Sequence, residues 1–229
     1  MSLPPPRQTV PGGELPRHRH EHGYAAVVLS GTYEEAGDNG RRAVRPGDVV
    51  VHGAFEAHLN RTPAAGALVL NLPLPCDALS AFGTVADADA IARAAGRDTC
   101  EAVALLVAQH QPAPAIAMDW PDLLAEALRE APVRIGDWAR AHGLSAEHVA
   151  RGFRQVFGAG PLAYGREVRA RDALHAALSG DHPLAEIAQA TGFADQAHMT
   201  RAVLALSGRP PGAWRRSNPF KTGASAPAI

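Results

Sequence analysis

Between Tyr24 and Leu74 short apolar runs follow one another at close spacing: AAVVL, GTYEE, RRAV, DVVVHG and GALVLNLPL. Several alternate apolar with polar residues, the period of a half-buried strand. Turn signals separate them at Gly37-Asp38-Asn39-Gly40 and Pro46-Gly47-Asp48, and Asp38-Asn39-Gly40 between two such runs predicts a hairpin. Closely spaced short strands predict a β-sandwich or small barrel. After Thr84 the period changes. AIARAAG and EAVALLVAQH repeat their apolar residues at three and four, behind Asp87 and Asp98 as starts. Pro112 and Pro114 break the pattern. Asp119, with Pro121 in the first turn, predicts a short helix to about Glu130, and Pro132 opens an all-helical remainder.

The chain has 229 residues, room for two small domains, and its 46% hydrophobic content excludes wholesale disorder. Arg, Asp, Glu, Gly or Pro interrupts every apolar run before membrane-spanning length, so no membrane association is expected. MSLPPPRQTVPGGELP lacks an apolar stretch behind a basic start and reads as a mobile leader without a secretory signal, which places the expected location in the cytoplasm. Cys76 and Cys100 form no CxxC pair and are expected reduced and buried. The net charge of −1 conceals a polarity. Residues 1–132 hold 10 Arg against 16 acids, whereas 133–216 hold 11 Arg against 7 acids, net +4. A basic segment suits a polyanion, although charge also fluctuates between ordinary domains.

The basic half repeats itself. IGDWARAHGLSAEHVARGFRQVFGAGPLAYGR aligns with LAEIAQATGFADQAHMTRAVLALSGRPPGAWRR. Ala139 answers Ala188, and Gly143-Leu144 answers Gly192-Phe193. After one inserted residue Arg151 answers Arg201, Gly158 answers Gly208, Pro161 answers Pro211 and Tyr164 answers Trp214. Each copy reads as an amphipathic helix with a small Ala inside, a Gly for a sharp turn, and a second amphipathic helix: a helix-turn-helix. The second helices are expected over about 146–157 and 195–206, with the helix 162–178 between the two units. Their early turns present Glu147, His148, Ala150, Arg151 and Arg154 in one copy, and Gln196, Ala197, His198, Thr200 and Arg201 in the other. Two such helices about 34 Å apart would enter successive major grooves on one face of a duplex.

On these residues, 133–216 resembles the DNA-binding domain of the AraC/XylS family of transcription regulators, most closely in GFADQAHMTRAV and GRPPGAWRR. The resemblance implies double-stranded promoter DNA as partner, with Gln196, His198, Thr200 and Arg201 facing one groove and Glu147, Ala150, Arg151 and Arg154 the other. Arg can pair with guanine or bind phosphate, and Gln pairs best with adenine. Val203 stands where the family usually has an aromatic.

Five of the eleven histidines lie in the first sixty residues: His18, His20, His22, His52 and His58. On one strand His18, His20 and His22 would share a face, suited to a metal or an anion. With Gly31, Pro46-Gly47-Asp48 and His58 this resembles the cupin pattern, a metal-binding β-barrel, and HRHEHGYAAVVLSG resembles the start of many AraC-family sensor domains. By that resemblance His18, His20 and His58 are imidazole ligands, while the carboxylate position falls at Tyr24 or Ala25. His22, Glu21, Glu56 or His52 would replace it. Three or four imidazoles suit a divalent transition metal (Zn, Ni, Cu or Fe) rather than Mg. Sensor barrels of this family often hold an organic effector instead.

The expected architecture is two domains, β then α: a leader 1–14, a cupin-like β-barrel sensor 15–84, a helical connector 85–132, a double helix-turn-helix domain 133–216 and a flexible tail 217–229. In the connector Val103, Leu105, Leu106 and Val107 suit either a homodimer seam or packing on the barrel. The function expected is a non-enzymatic DNA-binding regulator that senses a small ligand, with RNA polymerase among its partners. A metal-responsive regulator and a metal-dependent cupin enzyme fused to a DNA-binding domain are the alternatives. No Ser-His-Asp set, phosphate loop or carboxylate pair indicates a catalyst.

Overall fold

The computed structural model describes residues 3–74 and 79–217. The described residues up to Glu126, with Ile135–Pro161, make one compact unit; Ala127–Arg134 with the residues from Leu162 onward make a second. No helix among the described residues is long and apolar enough to cross a membrane.

The first unit is built on two antiparallel sheets. One has the strand order β1 (Arg7–Val10), β8 (Ala67–Pro73), β3 (Tyr24–Gly31), β6 (Asp48–His52), β9 (Phe82–Thr84), β10 (Gln111–Pro112). The other runs β2 (Gly13–Arg19), β7 (Ala57–Thr62), β4 (Tyr33–Gly37), β5 (Gly40–Val44). Val28, Val50 and Val69 of the first sheet pack with Tyr33 and Val44 of the second, which closes a barrel interior. The alternate residues Ala25, Val27, Val49, Val51, Leu70 and Leu72 face outward against α1 (Ala88–Ala95) and α2 (Thr99–Gln109). Both faces of β3, β6 and β8 are therefore covered, the physical reason their sequences are largely apolar, with Asn71 a polar break inside β8.

The hairpin expected at Asp38-Asn39-Gly40 is present. Gly37 pairs with Gly40, and Gly40 takes φ +114°, which a side chain would resist. The Asp38 carboxylate accepts the Ala57 N–H at 3.1 Å and pairs with Arg17, so the hairpin end is tied to β2 and β7. Asp87 and Asp98 cap α1 and α2 as their sequence positions suggested.

Several expectations change. Arg7–Val10 pairs with Leu70–Ala67, and Gly13 already belongs to β2, so residues read as a mobile leader supply β1 and the start of β2. Polar Arg7, Gln8 and Thr9 had hidden β1. The connector contributes β10 as an edge strand beside β9. In α2, Leu106 is fully buried and Val103 and Leu105 pack on the barrel core, while Val107 is exposed. Cys100 is exposed rather than buried: it lies in the first turn of α2, where residues 99–101 all face solvent. Cys76 and residues 218–229 of the expected tail lie outside the described residues.

In the remaining helices, α3 (Trp120–Glu130) leads to α4 (Ile135–Ala141) and α5 (Ala146–Phe157), the first helix-turn-helix, which belongs to the barrel unit. The long α6 (Pro161–Ser179) is followed by α7 (Leu184–Ala190), α8 (Gln196–Ser207) and α9 (Pro211–Arg216). The pair α7–α8, the second helix-turn-helix, lies in the other unit.

Candidate functional site

The two helix-turn-helix copies share their local construction. Gly143 and Gly192 take φ +68° and +73°, the left-handed turn that brings the next helix across the first. Ser145 and Asp195 then cap α5 and α8 by accepting the N–H of His148 at 3.1 Å and of His198 at 2.6 Å. Buried Ala139 and Ala188 leave room for the close crossing. Val149, Phe153 and Phe157 turn inward from α5, and Met199, Val203 and Leu206 from α8. Val203 is fully buried, so the aliphatic side chain serves the core directly.

The leading faces of both helices are open. Glu147, Arg151 and Arg154 are exposed with Ala150 half-buried; Gln196, His198 and Arg201 are exposed with Thr200 half-buried. Arg151 also pairs with Glu147 across one turn at 3.5 Å, an exposed contact that a phosphate or base could replace. His198 lies edge-on to Phe193 at 5.2 Å, which orients its ring.

A family profile described as a helix-turn-helix domain matches residues 138–217. The regulator GlxA of Rhizobium meliloti (strain 1021), an HTH-type transcriptional regulator, is 38% identical over 101 residues, 42% of this chain and 31% of GlxA. Residues 138–217 are a helix-turn-helix domain. The chain spans about a third of the length of that curated relative. Among solved structures, an AraC-type regulator from Chromobacterium violaceum is similar over 42% of this chain and 88% of its own, at 22% identity and TM-score 0.39. Apo ToxT from Vibrio cholerae covers 95% of this chain and 94% of its own, at 7% identity and TM-score 0.43.

Besides its helix-turn-helix domain the chain has a second polar site, inside the barrel. A cavity of about 50 Å³ is lined from both sheets by His18, His20, Tyr24, Glu35, His52, His58 and Asn60, among others. His18 on β2 and His58 on β7 are register partners. Their rings lie 4.3 Å apart, and His20 stands 5.1 Å from His18 and 5.6 Å from His58. One ring nitrogen of each of the three falls within 4.8 Å of the others. His22 does not join them. β2 ends at Arg19 and the chain bends at 21–22, so the alternation that would have aligned His22 stops and its side chain is exposed. His52 lies in the cavity wall, 4.1 Å from the His58 ring and stacked on Tyr24 at 4.6 Å, outside that trio. The Tyr24 hydroxyl stands 3.5 Å from His58 Nε2.

The carboxylate in this cavity is one the sequence reading missed, Glu35. It is buried on β4 with Oε2 3.6 Å from His52 Nε2, and that oxygen has no hydrogen-bond partner. Its phase with Tyr33, two positions earlier on the same strand face, is the signal that could have found it. Glu56 is engaged elsewhere, accepting the Gly53 N–H in the β6–β7 loop. Burial, reinforced by the nearby Glu56 charge, raises the Glu35 carboxyl well above the usual range, which favours its protonated form. Burial also pushes His52 down to about 3 and, with His52 beside it, holds His58 well below the usual imidazole range. Buried His52 and His58 therefore present neutral rings with free lone pairs, the form that coordinates metal. His58 Nδ1 is a further buried atom without a hydrogen-bond partner.

Proposed function

We propose that the protein is a sequence-specific, DNA-binding transcription regulator whose barrel binds a ligand rather than turning it over. The observation that carries the DNA half is the pair of capped helices, α5 and α8, with polar leading faces exposed in both copies of the AraC-type repeat. Promoter DNA is the partner in this reading. A second copy of the chain and RNA polymerase complete the assembly, and the cytoplasm is where such a regulator works.

The ligand reading rests on the trio His18, His20 and His58. Three imidazoles with donor atoms within 4.8 Å of one another fit one divalent transition metal, Zn, Ni, Cu or Fe. The orphaned His58 Nδ1 and Glu35 Oε2 support a polar or charged occupant. The cavity suits an ion with a water or a very small molecule better than a bulky organic effector. A bound metal would supply a fixed positive charge and an open coordination position for a further ligand.

Elemental mass spectrometry of untagged protein tests this, with His20→Ala and His58→Ala prepared in parallel. About one metal per chain is expected, lost in both variants, with operator affinity changing when metal is removed. A metal-free wild type that takes up no added Zn(II) or Ni(II) would refute the metal reading and leave a small organic ligand.

A further inference from the structure

The second helix of the first helix-turn-helix ends on the barrel wall. An α-helix leaves its last four carbonyls without intrahelical partners. In α5 the first of these, Arg154 O, accepts the N–H of Gly158, which takes φ +70°. The other three go to two arginines of the barrel. Arg61 on β7 donates to Gln155 O and, at 3.2 Å, to Val156 O; Arg17 on β2 donates to Phe157 O at 3.4 Å. Positive charge at a helix C-terminus is favourable in itself.

Both arginines are held from behind. Arg17 pairs with buried Asp38 and donates to Ala57 O at 3.3 Å, and Arg61 pairs with Glu14 at 3.3 Å and Glu34 at 3.2 Å. A Cβ placed on Gly158 would stand 2.9 Å from Leu59 Cδ2 and 3.0 Å from Arg17 Cβ, so helix end and barrel wall are in direct contact. A second grip lies one and a half turns back. Arg41 on β5 binds Asp119 and Asp122 at 2.8 Å each, and Trp120 beside them covers α5 at Gly152, where a Cβ would stand 2.7 Å from the indole. Glu147, Arg151 and Arg154 remain exposed, so the grip leaves the leading face open. The other copy differs: at Gly208 an added Cβ would meet nothing within 4 Å.

We propose that the barrel carries the first helix-turn-helix as its own appendage, with Arg17 and Arg61 as positioning residues that fix where α5 meets DNA. One half-site is then read by the sensor unit itself and the other by α7–α8 in the second unit. This rests on the DNA-binding reading above. The same strand pair gives the arrangement its interest, since β2 and β7 present His18 and His58 to the cavity and Arg17, Leu59 and Arg61 to α5.

The test uses the full chain and a duplex that the wild type selects from a random-sequence library. Arg61→Ala is the first variant, because that side chain is partly exposed and its loss leaves the barrel core intact; Gly158→Ala is the second. Hydrogen exchange is expected to speed at least tenfold over 145–158 in each variant, with β3 and β8 unchanged. Hydroxyl-radical footprints should show one half-site needing at least fivefold more protein, the other half-site keeping its wild-type titration. Unchanged exchange in α5 in both variants, or equal weakening of both half-sites, would overturn the proposal. A wild type that selects no duplex would overturn it from below, through the DNA-binding reading. That failure is distinguishable because the exchange data would still show the grip.

Discussion

Gly158 and Gly208 end α5 and α8 with nearly the same backbone, φ +70° and +73°, and so form a matched pair within one chain. Alanine at either position must adopt a left-handed conformation, at a cost of about 1–2 kcal/mol. Reduced freedom of the unfolded chain returns about 0.4–1 kcal/mol. At Gly208, with open space around the added Cβ, the net loss should be about 0.5–1 kcal/mol. At Gly158 the Cβ arrives 2.9 Å from Leu59 Cδ2 and 3.0 Å from Arg17 Cβ. Leu59 is fully buried and Arg17 is anchored to Asp38, so neither can retreat cheaply. Overpacking of this kind adds about 1–3 kcal/mol. Gly158→Ala should therefore exceed Gly208→Ala by about 1–3 kcal/mol. Because the chain has two compact units, one unfolding midpoint would blur the comparison, and opening energies from amide exchange in α5 and α8 are the proper measure. Equal losses, within about 0.5 kcal/mol, would refute the view that the barrel presses on the end of α5.

Gly152 lies inside a helix, where alanine ordinarily gains about 1 kcal/mol; against the Trp120 indole the change should instead lower the opening energy of α5 read by amide exchange, and a rise would contradict the packing. Gln196→Ala and Arg201→Ala should each weaken operator binding about 5- to 100-fold, with urea unfolding unchanged, as measured by fluorescence anisotropy. Arg201→Ala should also flatten the salt dependence if its contact is to phosphate. Glu35→Gln should stabilise chelator-treated protein more at about pH 8 than at about pH 5. The folded carboxyl keeps a proton that the unfolded chain releases above its ordinary 4.5, so stability falls as pH rises through that window, and Gln removes the effect. His52 acts oppositely: its folded value of about 3 against an ordinary 6.5 costs stability as pH falls between them. A pH-independent gain in Glu35→Gln, followed by urea titration, would refute the buried neutral acid.

What could be seen in the sequence was whatever depends on near neighbours. α5 was bounded correctly because Ser145, the inward period of Val149, Phe153 and Phe157, and Gly158 are all local signals. α8 emerged by the same rules with Asp195 and Gly208. The fold class of the first unit followed from short, closely spaced strand runs, several of them alternating, with turn signals between them. β1 escaped because its stability comes from Leu70 to Ala67, sixty residues away, and its own side chains are polar. The histidine site was legible only in part. His18, His20 and His58 converge because β2 and β7 pair, which the spacing suggested by resemblance alone. His22 failed because the end of β2 is set by its partner strand rather than by the alternation. Glu35 belongs to the site through the closure of one sheet on the other, a three-dimensional fact with only a faint trace in its phase with Tyr33. The Arg17 and Arg61 grip had no sequence signal, since an arginine that reaches a distant carbonyl looks like any surface arginine.

The hydrogen bond from Arg17 to Phe157 joins residues 140 positions apart, and this has a kinetic consequence. A chain emerging in order has all eight strands from β1 to β8 available before α5 is made. N-terminal units fold first during synthesis. Closing the barrel brings together β1 with β8 and β2 with β7, which sets Arg17, Leu59 and Arg61 side by side. The 12-residue α5, too short to be stable alone, then meets a finished template for its open carbonyls. The loop entropy of the long-range contact has by then been largely spent within the barrel, so docking is a late and shallow step. In a chain permuted to place 133–217 ahead of the barrel, α5 would have to wait unsupported, and assembly of the first helix-turn-helix would become the slow phase.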